Sequence, residues 1–516
     1  MQTTKRIVWA TALITTVALL VKGLGFAEKL LLAYFFGTGI QVDAYLVAYS
    51  LPFSAYIVLR EVVKPAFLPV FLRLRRTDEK DAWRLFGTVG TLLFLLLGPA
   101  TVAAIFLAEP LIALAAPGFG GEQRLLAVRL TRLIMPALLL LGLSTLTTAA
   151  LHADKRFLPP AVGDMSFRAG PLLLLMALGG VPALALGAVL GALGKLLIEA
   201  GSLGKGLRRV RPALDPAFAP VRTVGKLAAP LLAALFLSLF IGPLVENAFA
   251  SKAGVGGVSA LAYARKIAET LTAILPYTLG LVLFPFSAEM AARRDGKALA
   301  RTLDGAVRAL TLLFLPTTVG LLLLHQPFIR LLFERGAFDA ASTQLTAGPL
   351  AFYALALLPF ALEVVVIQFF FARQDTLTPV LTDAAAFALN VVLIPPLMAA
   401  LGLGGIALAA AIAKGLKVFA LLFLFERRVP AFRLKALRPF AGRMALACLA
   451  TAAVLAALQA MVARSEIEGL GPLAAYLSLA GLLGGVTFFG ASFLLGVEEV
   501  RNLAKQGTDW IRARQG

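Results

Sequence analysis

The stretch VKGLGFAEKLLLAYFFGTGIQVDAYLVA, residues 21–48, joins two long apolar runs through a short glycine-containing turn. A helix that spans a bilayer needs about 20 mostly apolar residues, so each run predicts one spanning helix. Four ionisable side chains nevertheless lie within these runs: Lys22, Glu28, Lys29 and Asp43. Because a charge at the centre of such a helix costs about 3 kcal/mol on insertion scales, these groups are expected to serve function or internal pairing.

The same apolar pattern continues along the chain. Of the 516 residues, 60% are hydrophobic and only 15% are charged, whereas about a quarter are charged in soluble domains. Fourteen candidate spans result, at 7–36, 43–71, 84–105, 125–152, 159–180, 182–202, 224–247, 256–288, 303–324, 344–371, 379–400, 402–425, 440–462 and 471–495. Because a backbone in lipid must satisfy its own hydrogen bonds, the predicted fold class is an all-α integral membrane protein with 14 transmembrane helices. The basic, apolar N-terminus lacks a clear signal-peptide cleavage site and is predicted to be retained.

Charged loops predict the orientation of these spans. If the N-terminus is cytoplasmic, the outer loops contain only five of the 48 Lys and Arg residues, namely Arg124, Lys252, Arg330, Arg335 and Arg464. This asymmetry follows the positive-inside rule, so both termini are predicted to be cytoplasmic. The net charge of +20 is then explained by an inner face that meets anionic headgroups, which disfavours nucleic-acid binding.

An internal repeat predicts two lobes. Glu28 aligns with Glu246, and Tyr45 aligns with Tyr263, with a glycine-containing turn between them in each copy. Six spans separate the copies, so they share one orientation and predict two pseudo-symmetric six-helix lobes. The predicted boundaries are 1–202 for the N-terminal lobe, 203–226 for a basic cytoplasmic linker, 227–425 for the C-terminal lobe, 426–495 for two further helices and 496–516 for a cytoplasmic tail.

Cations outnumber acids within the predicted spans. Lys22 and Lys29 are seven residues apart and share one helix face, as do Arg60 and Lys64 at a spacing of four. This excess predicts a hydrated cationic cavity between the lobes that suits a phosphate or pyrophosphate. Three cations near helix ends, Arg129, Lys195 and Arg308, are instead predicted to extend to the membrane interface.

Other chemistries find little support. His152 and His325 lie in separate predicted loops without metal-ligand spacing, and Cys448 alone cannot form an internal disulfide. A lipid-linked glycosyltransferase is therefore disfavoured, because it would need an acid pair or a metal site. A drug/cation antiporter is also disfavoured, because its cavity would need more acids than cations, whereas the predicted spans contain more cations. The GxxxG spacing of Gly187 and Gly191 predicts close helix packing.

Four stretches resemble signatures of the MurJ/MviN family in the MOP flippase superfamily: GLGFAEKLLLAYFFGTGIQVDAYLVAYSLP (23–52), APGF (116–119), LLFERGAFDAAST (331–343) and FFARQDTLTP (370–379). The resemblance covers essentially the whole chain. It implies a lipid II flippase of the bacterial inner membrane, which carries the undecaprenyl-pyrophosphate-linked peptidoglycan precursor to the outer leaflet by alternating access. It further implies a transporter rather than an enzyme, and a groove in the last two helices for the lipid tail.

The expected mode of action completes this prediction. No cofactor is expected, and the membrane potential or a coupled ion is expected to drive transport. The substrate is a polyprenyl-pyrophosphate lipid, the protein is expected to be a monomer, and the cell-wall synthesis machinery is an expected partner.

The charges within the spans and the resemblance together predict the site residues. The predicted substrate-binding residues are Lys22, Lys29, Arg60, Lys64 and Lys266, and the predicted gate residues or charge partners are Glu28, Asp43, Glu61 and Glu269. The family usually has Arg at positions 22, 28 and 266 and Asp at position 29, so the charges at 28 and 29 are swapped here. Lys keeps the charge but lacks the bidentate fork of Arg. A flippase for another polyprenyl-linked oligosaccharide (Wzx-like) therefore stays an alternative, and a MATE-like antiporter a weaker one.

Overall fold

The structure, a computed structural model, describes residues 20–272, 275–462, 469–502 and 505. These residues form helices, and no strand occurs among them. The helices are α1 (20–36), α2 (Ile40–Thr77), α3 (Glu79–Phe106), α4 (Ala108–Ala115), α5 (Gly121–Ile134), α6 (Pro136–Ala153), α7 (Leu158–Leu178), α8 (Gly180–Ser202), α9 (Ala219–Leu235), α10 (Gly242–Ser251), α11 (Gly257–Thr272), α12 (Leu275–Ala292), α13 (Gly296–Phe333), α14 (Ala340–Ala372), α15 (Leu377–Leu401), α16 (Leu403–Arg428), α17 (Leu434–Val462) and α18 (Leu470–Leu494).

Most of these helices are long and apolar enough to cross a membrane. Within the described residues 12 helical segments meet this condition, and α9 with α10, bent by 51°, gives a thirteenth if the pair forms one span. The all-helical membrane class is therefore confirmed. The first predicted span, 7–36, begins outside the described residues, and the N-terminus, predicted to be cytoplasmic, also lies outside them. The count of 14 spans therefore stays a prediction. Most of the predicted tail, 496–516, also lies outside them.

The chain forms two compact units, Met1–Ser259 (unit 1) and Ala260–Gly516 (unit 2). Helices α9 and α10 pack on α2 in unit 1, and the Asn247 side-chain amide donates to the Ser50 hydroxyl at 2.9 Å. The unit boundary falls within α11 rather than in the predicted linker at 203–226. The predicted lobe boundaries therefore remain predictions.

Aromatic packing fixes one end of unit 1. Phe67 and Phe71 lie one helical turn apart on α2, with ring centroids 5.0 Å apart. Phe71 also meets Trp83 of α3 edge-to-face at 5.8 Å. Each such ring contact contributes about 1 kcal/mol beyond the area that it buries, so this cluster holds α2 and α3 together.

Small residues let α7 and α8 approach closely. A Cβ atom on Gly187 would lie 2.5 Å from the Gly170 carbonyl oxygen, and one on Gly191 would lie 2.9 Å from the Ser166 carbonyl oxygen. Larger side chains would therefore push the helices apart. The close packing predicted from Gly187 and Gly191 is confirmed, and it brings the polar residues of α7 and α8 together.

Unit 2 is organised around the two long helices α13 and α14. Helix α14 packs on α13 and α16, and α15 covers α16. Helix α13 also packs on α17 and α18. Leu324 departs from helical geometry inside α13, with φ −101° and ψ 17°, so this helix is kinked where it meets the last two helices.

Residues of the family signature stretches lie where two helices approach closely or where a helix begins. The Gly118 N–H donates to the Ser251 hydroxyl at 3.0 Å, and a Cβ atom there would lie 2.2 Å from the Ser251 carbonyl oxygen. Asp339 caps α14 by accepting from the Ser342 N–H at 2.8 Å. Asp375 accepts from the Thr378 N–H at the start of α15 at 3.1 Å. These residues are therefore explained by close approach and helix capping.

Candidate functional site

A buried acidic group in unit 1 holds two cations. The Glu28 carboxylate on α1 is only 3% exposed and lies 3.6 Å from the Lys29 ammonium and 3.5 Å from the Arg168 guanidinium of α7. Lys29 and Arg168 keep exposed fractions of 15% and 27%. We call these three residues the Glu28 group. It carries one net positive charge and presents part of that charge to the surroundings.

An aromatic face of α2 supports this group. Tyr45, Tyr49 and Phe53 follow one another at a helical spacing of four, so their rings line one face. The Phe53 ring stacks on Phe167 of α7 at 6.1 Å, and the Arg168 guanidinium lies 5.2 Å from the Phe53 centroid. This cation–π contact orients the guanidinium in addition to its pairing with Glu28.

A second charged cluster joins α7 and α8. The Lys195 ammonium is 2% exposed and donates to Asp164 Oδ1 and Glu199 Oε1, each at 2.7 Å. Glu199 is fully buried and accepts further hydrogen bonds from the hydroxyls of Thr147 (2.5 Å) and Thr148 (2.9 Å). The prediction that Lys195 extends to the membrane interface is therefore wrong. The glycine-lined crossing of α7 and α8 brings Asp164 close, and the ammonium pairs there instead.

The second predicted cationic pair lies on α2. Arg60 pairs with the adjacent Glu61 at 2.9 Å, with both side chains about half exposed, and its guanidinium lies 5.9 Å from the Tyr56 ring. Lys64, one turn further along α2, is exposed. Arg60 and Lys64 can therefore meet a ligand without first breaking a buried pair.

Asp43 makes contacts of a different kind from those of the other predicted acids. Its buried carboxylate accepts from the backbone N–H groups of Gly256 at 2.7 Å and Ser259 at 2.8 Å. The Gln123 side-chain amide adds a longer contact of 3.4 Å. Asp43 thus ties the start of α2 to the turn at 254–259, and its prediction as a gate residue stays a prediction.

The predicted site residues of unit 2 lie on α11. Glu269 pairs with Arg265 one turn earlier at 3.6 Å; Glu269 is exposed and Arg265 is partly buried. Lys266 is half-buried, and its carbonyl accepts from the Thr270 hydroxyl at 2.7 Å. The prediction of Glu269 as a charge partner therefore has a structural counterpart in Arg265.

Unit 2 contains a buried cluster that resembles the Lys195 cluster. The Lys417 ammonium on α16 is nearly inaccessible and pairs with Asp383 of α15 and Glu363 of α14. Lys414 pairs with the second oxygen of Glu363 at 2.8 Å. The four side chains are neutral in sum, so this cluster binds three helices together rather than attracting an anion.

An apolar groove follows α13, α17 and α18. Its volume is about 410 Å³, and its lining includes Leu312 and Pro316 of α13, Leu455 of α17 and Gly485 of α18. A Cβ atom on Gly485 would meet nothing within 4 Å, so the missing side chain leaves this part of the groove open. The surface suits a hydrocarbon chain, because the described residues that line it include no charged side chain. We call it the α18 groove.

Most of the cations that the sequence places within the spans are thus paired with acids inside the protein. Among the in-span cations, eight form ion pairs in the described structure: Lys29, Arg60, Arg168, Lys195, Arg265, Arg308, Lys414 and Lys417. Sequence reasoning missed Arg168 and Asp164 as members of the site. Their spacing of four residues, on one face of an apolar helix, was the available signal.

The described residues contain no group of three or more His, Cys, Asp or Glu side chains that could hold a metal ion. The fold and these clusters define a class, a multi-span helical membrane protein that keeps polar groups inside its spanning region. A family model described as "Lipid II flippase MurJ" matches residues 32–468. The chain therefore belongs to the lipid II flippase MurJ family.

Relatives and solved structures agree with this assignment. The lipid II flippase MurJ of Burkholderia cenocepacia is 28% identical over 372 residues, which cover 69% of this chain and 71% of that protein. A probable lipid II flippase MurJ of Rhizobium meliloti is 29% identical over 408 residues, 75% of each chain.

The fold itself is shared with two kinds of membrane protein. A structure of a lipid II flippase MurJ in an inward closed conformation gives a TM-score of 0.78 at 21% identity, covering 96% of this chain and all of that one. An inward-facing multidrug resistance MATE family transporter of the MOP superfamily gives 0.67 at 15% identity, covering 80% and 94%. At these identities the structures establish the fold alone.

Proposed function

We propose that this protein moves lipid II, the undecaprenyl-pyrophosphate-linked peptidoglycan precursor, from the inner to the outer leaflet of the bacterial cytoplasmic membrane by alternating access. The observation that carries this proposal is the family match over residues 32–468. The protein acts as a transporter and not as an enzyme. Its polar clusters and its apolar groove suit the two chemically different ends of such a lipid.

In this proposal, the Glu28 group binds the pyrophosphate of the substrate. In the absence of substrate, the Glu28 carboxylate neutralises one of the two cations beside it. A pyrophosphate brings more negative charge than one carboxylate, so it competes for Lys29 and for the planar fork of Arg168. Glu28 then acts as the charge partner that holds the cations ready and releases them to the substrate.

Other predicted residues extend this binding surface. Lys22, Arg60, Lys64 and Lys266 add positive charge for the headgroup, and Arg60 and Lys64 are the exposed members on α2. Glu61 and Glu269 each pair with a neighbouring arginine. These acids tune the charge that the substrate meets, as Glu28 does for Arg168.

The α18 groove holds the polyprenyl tail. Its apolar lining favours hydrocarbon over water, with about 25 cal/mol gained for each Å² of apolar surface removed from water. The tail can stay at the lipid-facing surface while the charged headgroup crosses. The proposed tail site therefore lies in residues 426–495 together with α13.

We further propose 14 spans, with six-helix lobes at 1–202 and 227–425, a linker at 203–226, and both termini in the cytoplasm. Matching details in the two units support the lobes. Lys155 and Gln374 both have left-handed backbones just before α7 and α15, with φ of 58° and 60°. Asp164 and Asp383 each lie six residues beyond the first residue of these helices. Each carboxylate pairs with a buried lysine of the following helix.

The membrane potential drives this transport without a cofactor. Each elementary charge that crosses the full potential contributes about 2.3 kcal/mol per 100 mV. An inside-negative potential favours outward movement of an anionic headgroup and return of the empty cationic site. The protein works as a monomer and supplies lipid II to the cell-wall synthesis machinery.

Complementation of a conditional lipid II flippase mutant tests the proposal. The wild-type chain should restore growth, and Arg168→Gln should restore it poorly at equal membrane levels. Arg132→Gln is the matched control, because it removes the same charge at an exposed position on α5. Failure of the well-inserted wild-type chain would instead favour the Wzx-like alternative, transport of another polyprenyl-linked oligosaccharide.

A further inference from the structure

Three loops of unit 2 line an open, mainly polar cavity of about 850 Å³. The cavity lies where α12 meets α13, α14 meets α15, and α16 meets α17, at the end of unit 2 that is predicted to be cytoplasmic. Four cationic side chains, those of Arg294, Lys297, Arg373 and Arg428, and the carboxylate of Asp295 contribute to its lining. The cavity is thus built from helix ends outside the Glu28 group and the α18 groove.

One of the four cations is already neutralised. Arg428 forms an ion pair with Asp375, and its guanidinium lies 5.9 Å from the Phe370 ring. This pair joins the end of α16 to the loop before α15 and fixes one wall of the cavity. Arg428 is therefore a structural element of the wall and is not counted as a ligand-binding charge.

The other three cations differ from Arg428 in their pairing. Within the described part of the chain, Arg294, Lys297 and Arg373 make no ion pair and no side-chain hydrogen bond. The nearby carboxylate of Asp295 accepts from the Ala298 N–H at 2.9 Å and thereby caps α13. Three positive charges thus face one cavity with a single carboxylate beside them, so the cavity attracts anions.

The backbone at this cavity is also unusual. Arg294 has φ of 56° and Gln374 has φ of 60°, both in the left-handed region that favours glycine at the end of a helix. Elsewhere in unit 2, Gly336 and Gly402 fill left-handed positions of this kind. Position 294 therefore combines a strained backbone with an arginine that lines the cavity.

We propose that this cavity binds a phosphate ligand with at least two negative charges, presented by an acidic lipid headgroup or by a soluble phosphate anion. Arginine forks and a lysine ammonium are the usual donors to phosphate oxygens. Basic pockets at the cytoplasmic ends of spanning helices are suited to such headgroups. A bound ligand would bridge the three loops and stiffen this end of unit 2.

Thermal unfolding of the purified full-length protein in neutral detergent tests this proposal. One arm adds cardiolipin, with phosphatidylcholine as the uncharged reference lipid. The second arm adds inorganic pyrophosphate, with sodium chloride at matched ionic strength as its reference. We expect at least one arm to raise the Tm of the wild-type protein above its reference. A shift with cardiolipin alone identifies a headgroup site, and a shift with pyrophosphate alone identifies a site for a soluble anion.

Two variants connect the shift to the cavity. Arg294→Gly relieves the left-handed backbone, so the unliganded Tm should be retained or raised while binding weakens about tenfold. Arg373→Gln should weaken binding similarly. Arg293→Gln is the matched control, because Arg293 pairs with Glu289 at 2.5 Å and does not line this cavity. The proposal is overturned if neither ligand shifts the wild-type Tm, if both cavity variants keep the full shift, or if Arg293→Gln loses it equally.

Discussion

Neutralising Glu28 tests whether the Glu28 group is the internal ion-pair network that the structure describes. The carboxylate is 3% exposed, with cations at 3.5 and 3.6 Å, and each separation corresponds to about 5 kcal/mol of attraction at an effective dielectric constant of about 20. Removing one member of a buried pair usually costs about 3–5 kcal/mol. Because Arg168 and Lys29 remain partly exposed, we expect Glu28→Gln to lower the free energy of unfolding by about 3 kcal/mol.

A double-mutant cycle isolates the contact between Glu28 and Arg168. The free energies of unfolding of Glu28→Gln, Arg168→Gln and the double variant are measured by denaturant titration in detergent, followed by tryptophan fluorescence. The two effects should be non-additive by about 2 kcal/mol, because each single variant already breaks the pair. Arg132→Gln, an exposed change on α5, should alter stability by less than about 0.5 kcal/mol. Additivity within about 0.5 kcal/mol would refute the pairing.

Three further predictions concern other parts of the molecule. Lys195→Met should destabilise unit 1 by about 3–5 kcal/mol, because it leaves two carboxylates without their ammonium; an unchanged Tm would contradict this. Gly485→Leu should fill the α18 groove and reduce lipid II transport several-fold while the Tm stays unchanged. Gly490→Leu, a matched change at an exposed position of α18, should alter neither the transport rate nor the Tm. The hydrogen bond from the Ser342 N–H lowers the pKa of Asp339. The capping interaction of the ionised carboxylate therefore stabilises the fold above about pH 4, and this stabilisation is lost as the pH falls through the lowered pKa. Asp339→Ala should therefore cost about 1 kcal/mol at pH 7, and the difference from wild type should vanish near pH 2.

The spans could be predicted from the sequence because each is a local property of about 20 consecutive residues. Helix α16, for example, is predicted at 402–425 and observed at Leu403–Arg428. The short helix α4 was not predicted, because its eight residues are too few to span a bilayer. The bend between Ala219–Ala233 and Phe236–Ser251 lies next to a π-helical segment at Phe236–Ile241, and hydropathy indicates neither feature.

The partners of the buried charges could not be predicted in the same way. The sequence places Glu28 beside Lys29, but its other cation, Arg168, lies on a helix that only tertiary packing brings near. From the sequence, Lys195 is predicted to lie at a helix end and extend to the membrane interface. In the structure, the close crossing of α7 and α8 at Gly187 places Asp164 beside it. Charge counting therefore overestimated the cations available to a substrate.

A direct transport measurement tests the central claim, that this chain flips lipid II. In bacterial cells depleted of their own flippase, lipid II in the outer leaflet is quantified with an enzyme that degrades it only from outside. Expression of the wild-type chain should restore degradation, and Arg168→Gln should restore much less at equal membrane levels. Unchanged protection of lipid II in cells that contain the fully inserted wild-type protein would contradict the account.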